Sequence, residues 1–144
     1  FTSEVHATRK YRLGTRVKLH GNEYIYLKGV GSTVVGDWVS FDEAHLTTRA
    51  IANGQGRVAV AMAAVDATTE YGWYQIYGSA SAKALTAFVD NGKVYLTGTA
   101  GSVDDTDVGG DVVIGAIGRS AVNETTFLAT FELNYPMILD LAID

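Results

Sequence analysis

The chain predicts an all-β fold, a compact antiparallel β-barrel or β-sandwich with an extended N-terminal arm, and three observations carry that reading. About ten short segments alternate apolar and polar residues, set roughly 8 to 14 residues apart by Gly, Asn and Asp. Tyr71-Gly-Trp-Tyr-Gln-Ile-Tyr-Gly78 leads directly into Ser79-Ala-Ser-Ala-Lys83, so aromatic and β-branched residues alternate up to Gly78 and small and polar ones after it, as sheet faces require. The 144 residues include sixteen glycines and eight tyrosines but one proline and no cysteine, a turn-rich composition with no disulfide or thiolate metal site. A chain of this length buries roughly 70% of its unfolded surface, so residues 13–144 are expected to form one β domain without a staple, and residues 1–12 an N-terminal arm.

Each element follows from local pattern. Arg16 to His20 and Glu23 to Lys28 both alternate around Gly21-Asn22, the signal of a hairpin with its turn at Gly21-Asn22. Three glycines between Gly29 and Gly36 mark a loop, and Asp37-Trp-Val-Ser-Phe41 opens another strand. Ser40-Phe-Asp-Glu43 has the spacing of a helix capping box ahead of Ala44 to Ala52, with Asn53-Gly54 as a stop. The apolar stripe there is thin and Thr47-Thr48 resist helix, so this stretch is open between helix and extended chain. Beyond it the expected strands are Arg57 to Val65, Gly72 to Tyr77, Ala80 to Val89, Lys93 to Gly98, Asp111 to Gly118, Phe127 to Leu133 and Met137 to Ile143. Asp90-Asn91-Gly92 suits a hairpin turn because Asn and Gly accept positive φ. Pro136 is expected to begin or bend an edge strand.

A weak internal repeat is present. Gly56-Arg-Val-Ala-Val-Ala61 resembles Gly110-Asp-Val-Val-Ile-Gly115, and Val65-Asp-Ala-Thr-Thr69 resembles Val122-Asn-Glu-Thr-Thr126. Each copy reads strand, loop, strand, as pseudo-symmetric hairpins of one fold would, although a Val-, Ala- and Gly-rich chain produces such matches by coincidence too.

Charge divides along the chain more tellingly than its total of −5. Through Lys28 there are six basic and two acidic residues, net +4; the remainder has five basic and fourteen acidic residues, net −9. Arg9, Lys10 and Arg12 therefore suit either a solvated edge or an arm that docks on an acidic neighbour. No nucleic-acid partner is expected, because the chain is acidic and lacks a recognition-helix, RRM or KH pattern. No membrane partner is expected either, since no apolar run approaches the roughly 18 residues of a membrane helix.

Motifs for chemistry are thin. Asp104-Asp-Thr-Asp-Val-Gly-Gly-Asp111 evokes a calcium loop, with Asp105, Asp107 and Asp111 at ligand positions, but Ala116 stands where a bidentate Glu belongs. It reads as an exposed acidic loop. His6, His20 and His45 have no shared ligand spacing, no Gly-x-Ser-x-Gly elbow exists, and Gly29-Val-Gly31 lacks a phosphate-loop lysine. Asp66 and Glu70 form a carboxylate pair of the kind any acidic chain offers. No catalytic residue, metal or cofactor is therefore expected. Tyr71, Trp73, Gln75 and Tyr77 share one strand face, where Trp73 and Tyr77 are candidates for core filling, an interface or stacking on sugars.

Leu13-Gly-Thr15 leading into Glu23-Tyr-Ile-Tyr26, then Gly56 to Ala61 and Tyr71 to Gly78, make the chain resemble the small β-rich virion proteins of tailed bacteriophages, most of all head decoration (cement) proteins. That resemblance implies a non-enzymatic structural protein without cofactors, a homo-oligomer with a trimer favoured. It implies binding to the major capsid protein on the outer surface of the virion, after assembly in the host cytoplasm. Arg9, Lys10, Arg12, Trp73 and Tyr77 are the expected partner contacts. The acidic loop and the apolar Met137 to Ile143 depart from the pattern. The alternative is a phage tail or fibre domain that binds host glycans, and an accessory domain of an enzyme comes third.

Overall fold

A computed structural model describes residues 1–107 and 111–140. It is all-β, and its strands are β1 (Val5–His6), β2 (Arg16–Leu19), β3 (Asn22–Lys28), β4 (Trp38–Phe41), β5 (Thr47–Arg49), β6 (Arg57–Ala61), β7 (Tyr71–Lys83), β8 (Lys93–Leu96), β9 (Val103–Asp104), β10 (Asp111–Gly118) and β11 (Leu128–Asp140). They form one antiparallel sheet in the order β2-β3-β7-β6-β11-β10-β8-β9, with β1 on β7, β4 between β5 and β6, and a further β7–β11 pairing. The sheet does not close into a barrel; it is compact and sandwich-like.

The β2–β3 hairpin forms where alternation placed it, but its turn is His20-Gly21, one residue earlier than the Gly21-Asn22 expected. Both turn residues have positive φ, 52° and 83°, the twist that two-residue hairpins favour, and Asn22 becomes the first residue of β3. The stretch Ala44 to Ala52 is extended, with β5 at its centre. Ser40 cannot cap a helix because it lies inside β4, paired with Thr48 on one side and Val58 on the other. Asp42 Oδ1 instead accepts from Ala44 N (3.0 Å) and Leu46 N (3.1 Å), a side-chain turn that leads into β5. The Asp90–Asn91 turn forms, with Gly92 N donating to Val89 O at 3.1 Å, yet it connects the loop after β7 to β8 and not two paired strands.

Two pairs of expected strands are single long strands with a bend. β7 passes through Gly78 at φ 100°, and β11 passes through Tyr135 at φ 49° just before Pro136. Opposite that second bend the β10 register shifts between Ile114 and Ala116, so Pro136 falls where the ladder is interrupted and its missing N–H costs no bond. Of the expected strand Met137 to Ile143, the part from Leu141 onward lies outside the described residues.

The repeat is real and far more extensive than its sequence trace. β4 pairs β5 and β6 just as β8 pairs β9 and β10; β6 pairs β7 as β10 pairs β11; β3 pairs β7 as β7 pairs β11. Loop bonds recur after 55 to 57 residues: Gly29 N to Glu70 O (2.8 Å) returns as Ala84 N to Phe127 O (3.0 Å), and Ala61 N to Asp37 O (2.9 Å) as Gly118 N to Gly92 O (2.9 Å). The parallel bridge Lys28–Leu46 returns as Ala84–Val103. Two units of the same topology thus stand in tandem, and β7 is shared: up to Tyr77 it closes the first unit, and beyond Gly78 it opens the second.

Each unit has its own core at equivalent positions. Ile25, Leu27, Val39, Ala59, Val65, Tyr74 and Ile76 fill the first, and Ala80, Ala82, Val94, Val113, Val122, Phe131 and Leu133 the second. Trp38 belongs to a strand of the first unit but packs in the second core, edge-on to Phe131 at 4.9 Å, with its Nε1 donating to Lys83 O at 3.0 Å. A third cluster of Tyr24, Tyr26 and Trp73 lies under residues 1–12, which fold back through β1.

Candidate functional site

The bends of β7 and β11 meet. Tyr77 and Asn134 are the last partners of the β7–β11 ladder, so the chain turns at Gly78 on one strand and at Tyr135 on the other, side by side. Gly78 permits its turn because an L side chain resists φ 100° and a Cβ there would strike the Asn22 side chain. Asn22 in turn accepts from Ser79 N at 3.2 Å and locks the corner to the start of β3. The result is a pair of tyrosine rings, Tyr77 and Tyr135, with centroids 5.3 Å apart and planes tilted 35°. Although they stand at the junction of three strands they remain 41% and 38% exposed.

Tyr135 is held from below. Its hydroxyl donates to Glu23 Oε1 at 2.6 Å, and Glu23 is nearly buried and faces Arg16 at 3.7 Å. That hydrogen bond to a carboxylate, followed by desolvation and the Glu23 charge, raises the phenol pKa, so Tyr135 stays protonated and a donor to Glu23.

Concavities lie on either side of the rings and share them as walls. One of about 300 Å³ is lined by Arg16, Phe41, Arg57, Val58, Ile76 and Tyr135. The next, about 450 Å³, lies between Tyr135 and Tyr77 with Lys18, Gly21, Asn22 and Glu23. A third of about 310 Å³ continues past Tyr77 to Ser79, Arg119, Glu132 and Asn134. Beyond Phe41 and Arg57 a polar hollow of about 590 Å³ extends over Asp42, Glu43, His45 and Gln55. Together they make one open furrow along the sheet.

Its charges are unequally engaged. Glu23 is bonded to Tyr135, and Glu132 accepts from Arg119 Nε at 3.2 Å. Arg57 and Lys18 have no side-chain hydrogen bond or ion pair among the described residues, and both are exposed. The furrow thus offers aromatic surface, two free cations and bonded carboxylates, an arrangement suited to holding a ligand.

The expected contact residues separate. Arg9, Lys10 and Arg12 are exposed, and their side chains make no hydrogen bond or ion pair among the described residues; the Lys10 N–H donates to Tyr26 Oη at 3.3 Å and the Arg12 carbonyl accepts from Thr15 N at 3.1 Å. Trp73 is 1% exposed, enclosed by Tyr26 (5.1 Å), Phe1 (5.2 Å) and Tyr11 (5.4 Å). It serves as core filling, because β7 is central and the N-terminal residues cover its outer face. Tyr77 alone of the two aromatics reaches the surface. Its partner Tyr135 went unnoticed in the sequence, as did Lys18 and Arg57 as members of a site. The one available signal was the repeat, since Tyr135 stands 57 positions after Gly78, the bend in the preceding unit.

The other sequence candidates stay apart. His6 Nδ1 bonds Tyr26 Oη at 2.8 Å in the interior, His20 occupies a hairpin turn, and His45 lies near Phe41 at 6.5 Å. Glu70 Oε1 accepts from Asp66 N at 3.1 Å and so caps a loop. Of the acidic loop, 108–110 lie outside the described residues; Asp105 Oδ2 accepts from Val89 N at 2.8 Å and Asp111 Oδ2 from Asn53 N. Among the described residues no three metal-ligating side chains converge. No protein family, curated protein or solved structure matches this chain.

Proposed function

We propose that this chain is a structural protein of a phage virion that binds the outer surface of the capsid and stabilises the head, a decoration protein that acts as a multivalent clamp. The observation that carries the reading is the duplication of a contact loop. Residues 30–37 and 85–92 share turn bonds and positive φ at Ser32 (72°) and Ala87 (66°). Both present apolar tips, Val34 and Val35 at 41% and 56% exposed and Val89 at 53%. Each tip is held rigid, one by Asp37 accepting from Val34 N (3.0 Å) and Arg49 (2.8 Å), the other by Asp105 accepting from Val89 N. Two similarly built tips per chain, one carrying Val34 and Val35 and the other Val89 beside the exposed Asp90, multiplied by a trimer, engage repeated capsid subunits with an avidity that can exceed one site by 10² to 10⁴-fold. Arg9, Lys10 and Arg12 supply cations for an acidic face of the major capsid protein.

The test adds purified protein to undecorated expanded heads, counts bound copies and measures the rupture temperature. Saturable binding that raises it, lost on replacing Val34, Val35 and Val89 by Ser, supports the clamp; no binding to heads overturns it. A second reading, a tail or fibre domain that binds host glycans, is favoured by the exposed Tyr77–Tyr135 pair in its furrow.

A further inference from the structure

We infer that the furrow across Tyr77 and Tyr135 is a saccharide site selective for carboxylated sugars, of the uronic- or sialic-acid class; this rests on the reading of the furrow as a glycan site. The tyrosines give it a sugar-stacking surface. Two adjacent rings, tilted and 38–41% exposed, present apolar area at low rotamer cost, as the apolar face of a pyranose requires. The cations give it selectivity. Arg57 stands on one side of Tyr135 and Lys18 on the other, each lining a concavity of which Tyr135 is the shared wall. In a chain of net charge −5 these two cations carry no partner among the described residues. Of the carboxylates bordering the furrow, Glu23 is occupied by Tyr135 and Arg16, Glu132 by Arg119 and Asp42 by the Ala44 and Leu46 N–H groups, while Glu43 lies in the hollow beyond Arg57 and makes no ion pair with it.

A sugar ring over Tyr135 therefore has a guanidinium within reach at one edge and an ammonium at the other, while Asn22 and Asn134 border the same furrow with groups that pair with hydroxyls. An acidic peptide fits less well. Peptide anchors need enclosed apolar pockets, and the concavities here are open to solvent. A guanidinium–carboxylate contact is charge-assisted, which sets the expected gain at roughly tenfold or more in affinity over the neutral sugar.

The experiment titrates the full chain by calorimetry with tetragalacturonate, a sialic-acid tetramer and a hyaluronan tetrasaccharide, each beside its carboxyl-reduced counterpart, and with tetraglutamate as a charge control. At least one carboxylated sugar should bind about tenfold or more tighter than its reduced form, and weaken as salt rises. The double variant Arg57→Gln, Lys18→Gln alters only exposed side chains, so its melting temperature should be unchanged and its affinity should fall to that of the reduced sugar. Tyr77→Ala should weaken both forms together. Equal binding of carboxylated and reduced sugars would overturn the selectivity while leaving a glycan site; absence of any saccharide binding would overturn both. Tetraglutamate binding as tightly as the sugars would overturn the saccharide assignment. Head binding is a separate measurement and decides neither.

Discussion

Replacing Tyr74 by Phe removes one oxygen from the interior of the first unit, and it should not cost stability. Tyr74 is fully buried and its hydroxyl finds no hydrogen bond of acceptable geometry. Burial pushes its pKa far above that of an ordinary phenol; nearby Thr47 offsets only part of this, its own proton going to Lys28 O at 2.6 Å. A polar group stranded in the interior costs about 1–3 kcal/mol, whereas the ring itself contributes packing that Phe preserves. The equivalent position in the second unit is already Phe131, equally buried. Tyr74→Phe is therefore expected to be neutral or to stabilise by about 1 kcal/mol, which for a domain of this size raises the melting temperature by roughly 2–5 °C. Urea titration followed by tryptophan fluorescence, with calorimetry, measures it. The alkaline limb gives a second readout. The folded chain holds the phenol proton more tightly than the unfolded one, so this contribution is complete below pH about 10 and declines as pH rises toward the folded-state pKa. Wild type should lose stability above pH about 10 more steeply than the variant, which retains Tyr26, with a pKa raised by burial, and Tyr135, with one raised by its bond to Glu23. A loss above about 1 kcal/mol at neutral pH would show the hydroxyl bonded, and an unaltered alkaline slope would show it reached by water; either result would refute the argument.

Gly78→Ala places a side chain at φ 100° against Asn22, and a loss of about 1–2 kcal/mol in urea unfolding is expected; unchanged stability would mean the β7 corner is not strained. Glu124 accepts from Thr86 Oγ1 (2.6 Å) and Ala87 N (2.8 Å), which holds its pKa below the carboxylate range. Its contribution is present above pH about 4.3 and lost as pH falls through the lower folded value, so Glu124→Gln should flatten the acid limb of a stability profile, and an identical limb would count against that role. Removing residues 1–12 takes away Phe1 and Tyr11 and uncovers Trp73, so tryptophan emission should shift to the red and a dye for apolar surface should bind; unshifted emission would deny the cover.

The strands were legible because a period-two alternation survives in single segments, and Gly, Asn and Asp mark where most of them end. What local pattern could not reveal was which neighbour wins. Ser40 to Glu43 has capping spacing, but β4 is paired on both sides, and two ladders outweigh one potential cap. His20 sits at a positive φ that Asn more often takes, because the turn must match the strands it joins. Trp73 was legible as a sheet residue with core filling among its readings, but the choice between core and contact was not, since what covers it comes from residues over sixty positions away. The furrow was half legible: Tyr77 stands in a distinctive segment, while Tyr135 becomes its neighbour only through the coincidence of two strand bends.

The faintness of the repeat has a physical cause in how the two cores exchange volume. Where the first unit places Ile25 and Leu27, the second places Ala80 and Ala82, which alone would leave cavities worth several kcal/mol. The deficit is filled from elsewhere. Phe88 stands at the counterpart of Thr33, Val113 at that of Ala59, and Trp38 reaches across from the first unit to lie against Phe131, which Phe88 also touches at 5.1 Å. Backbone topology constrains the turn bonds and ladders, so those recur in both units; side-chain identity is constrained only through total volume, so it differs in compensating sets. Strand β7, which closes one unit and opens the other, together with Trp38, joins the two cores. The mutual dependence of the two cores should therefore make them unfold as one, and a two-step urea transition would mean that the shared strand does not couple them.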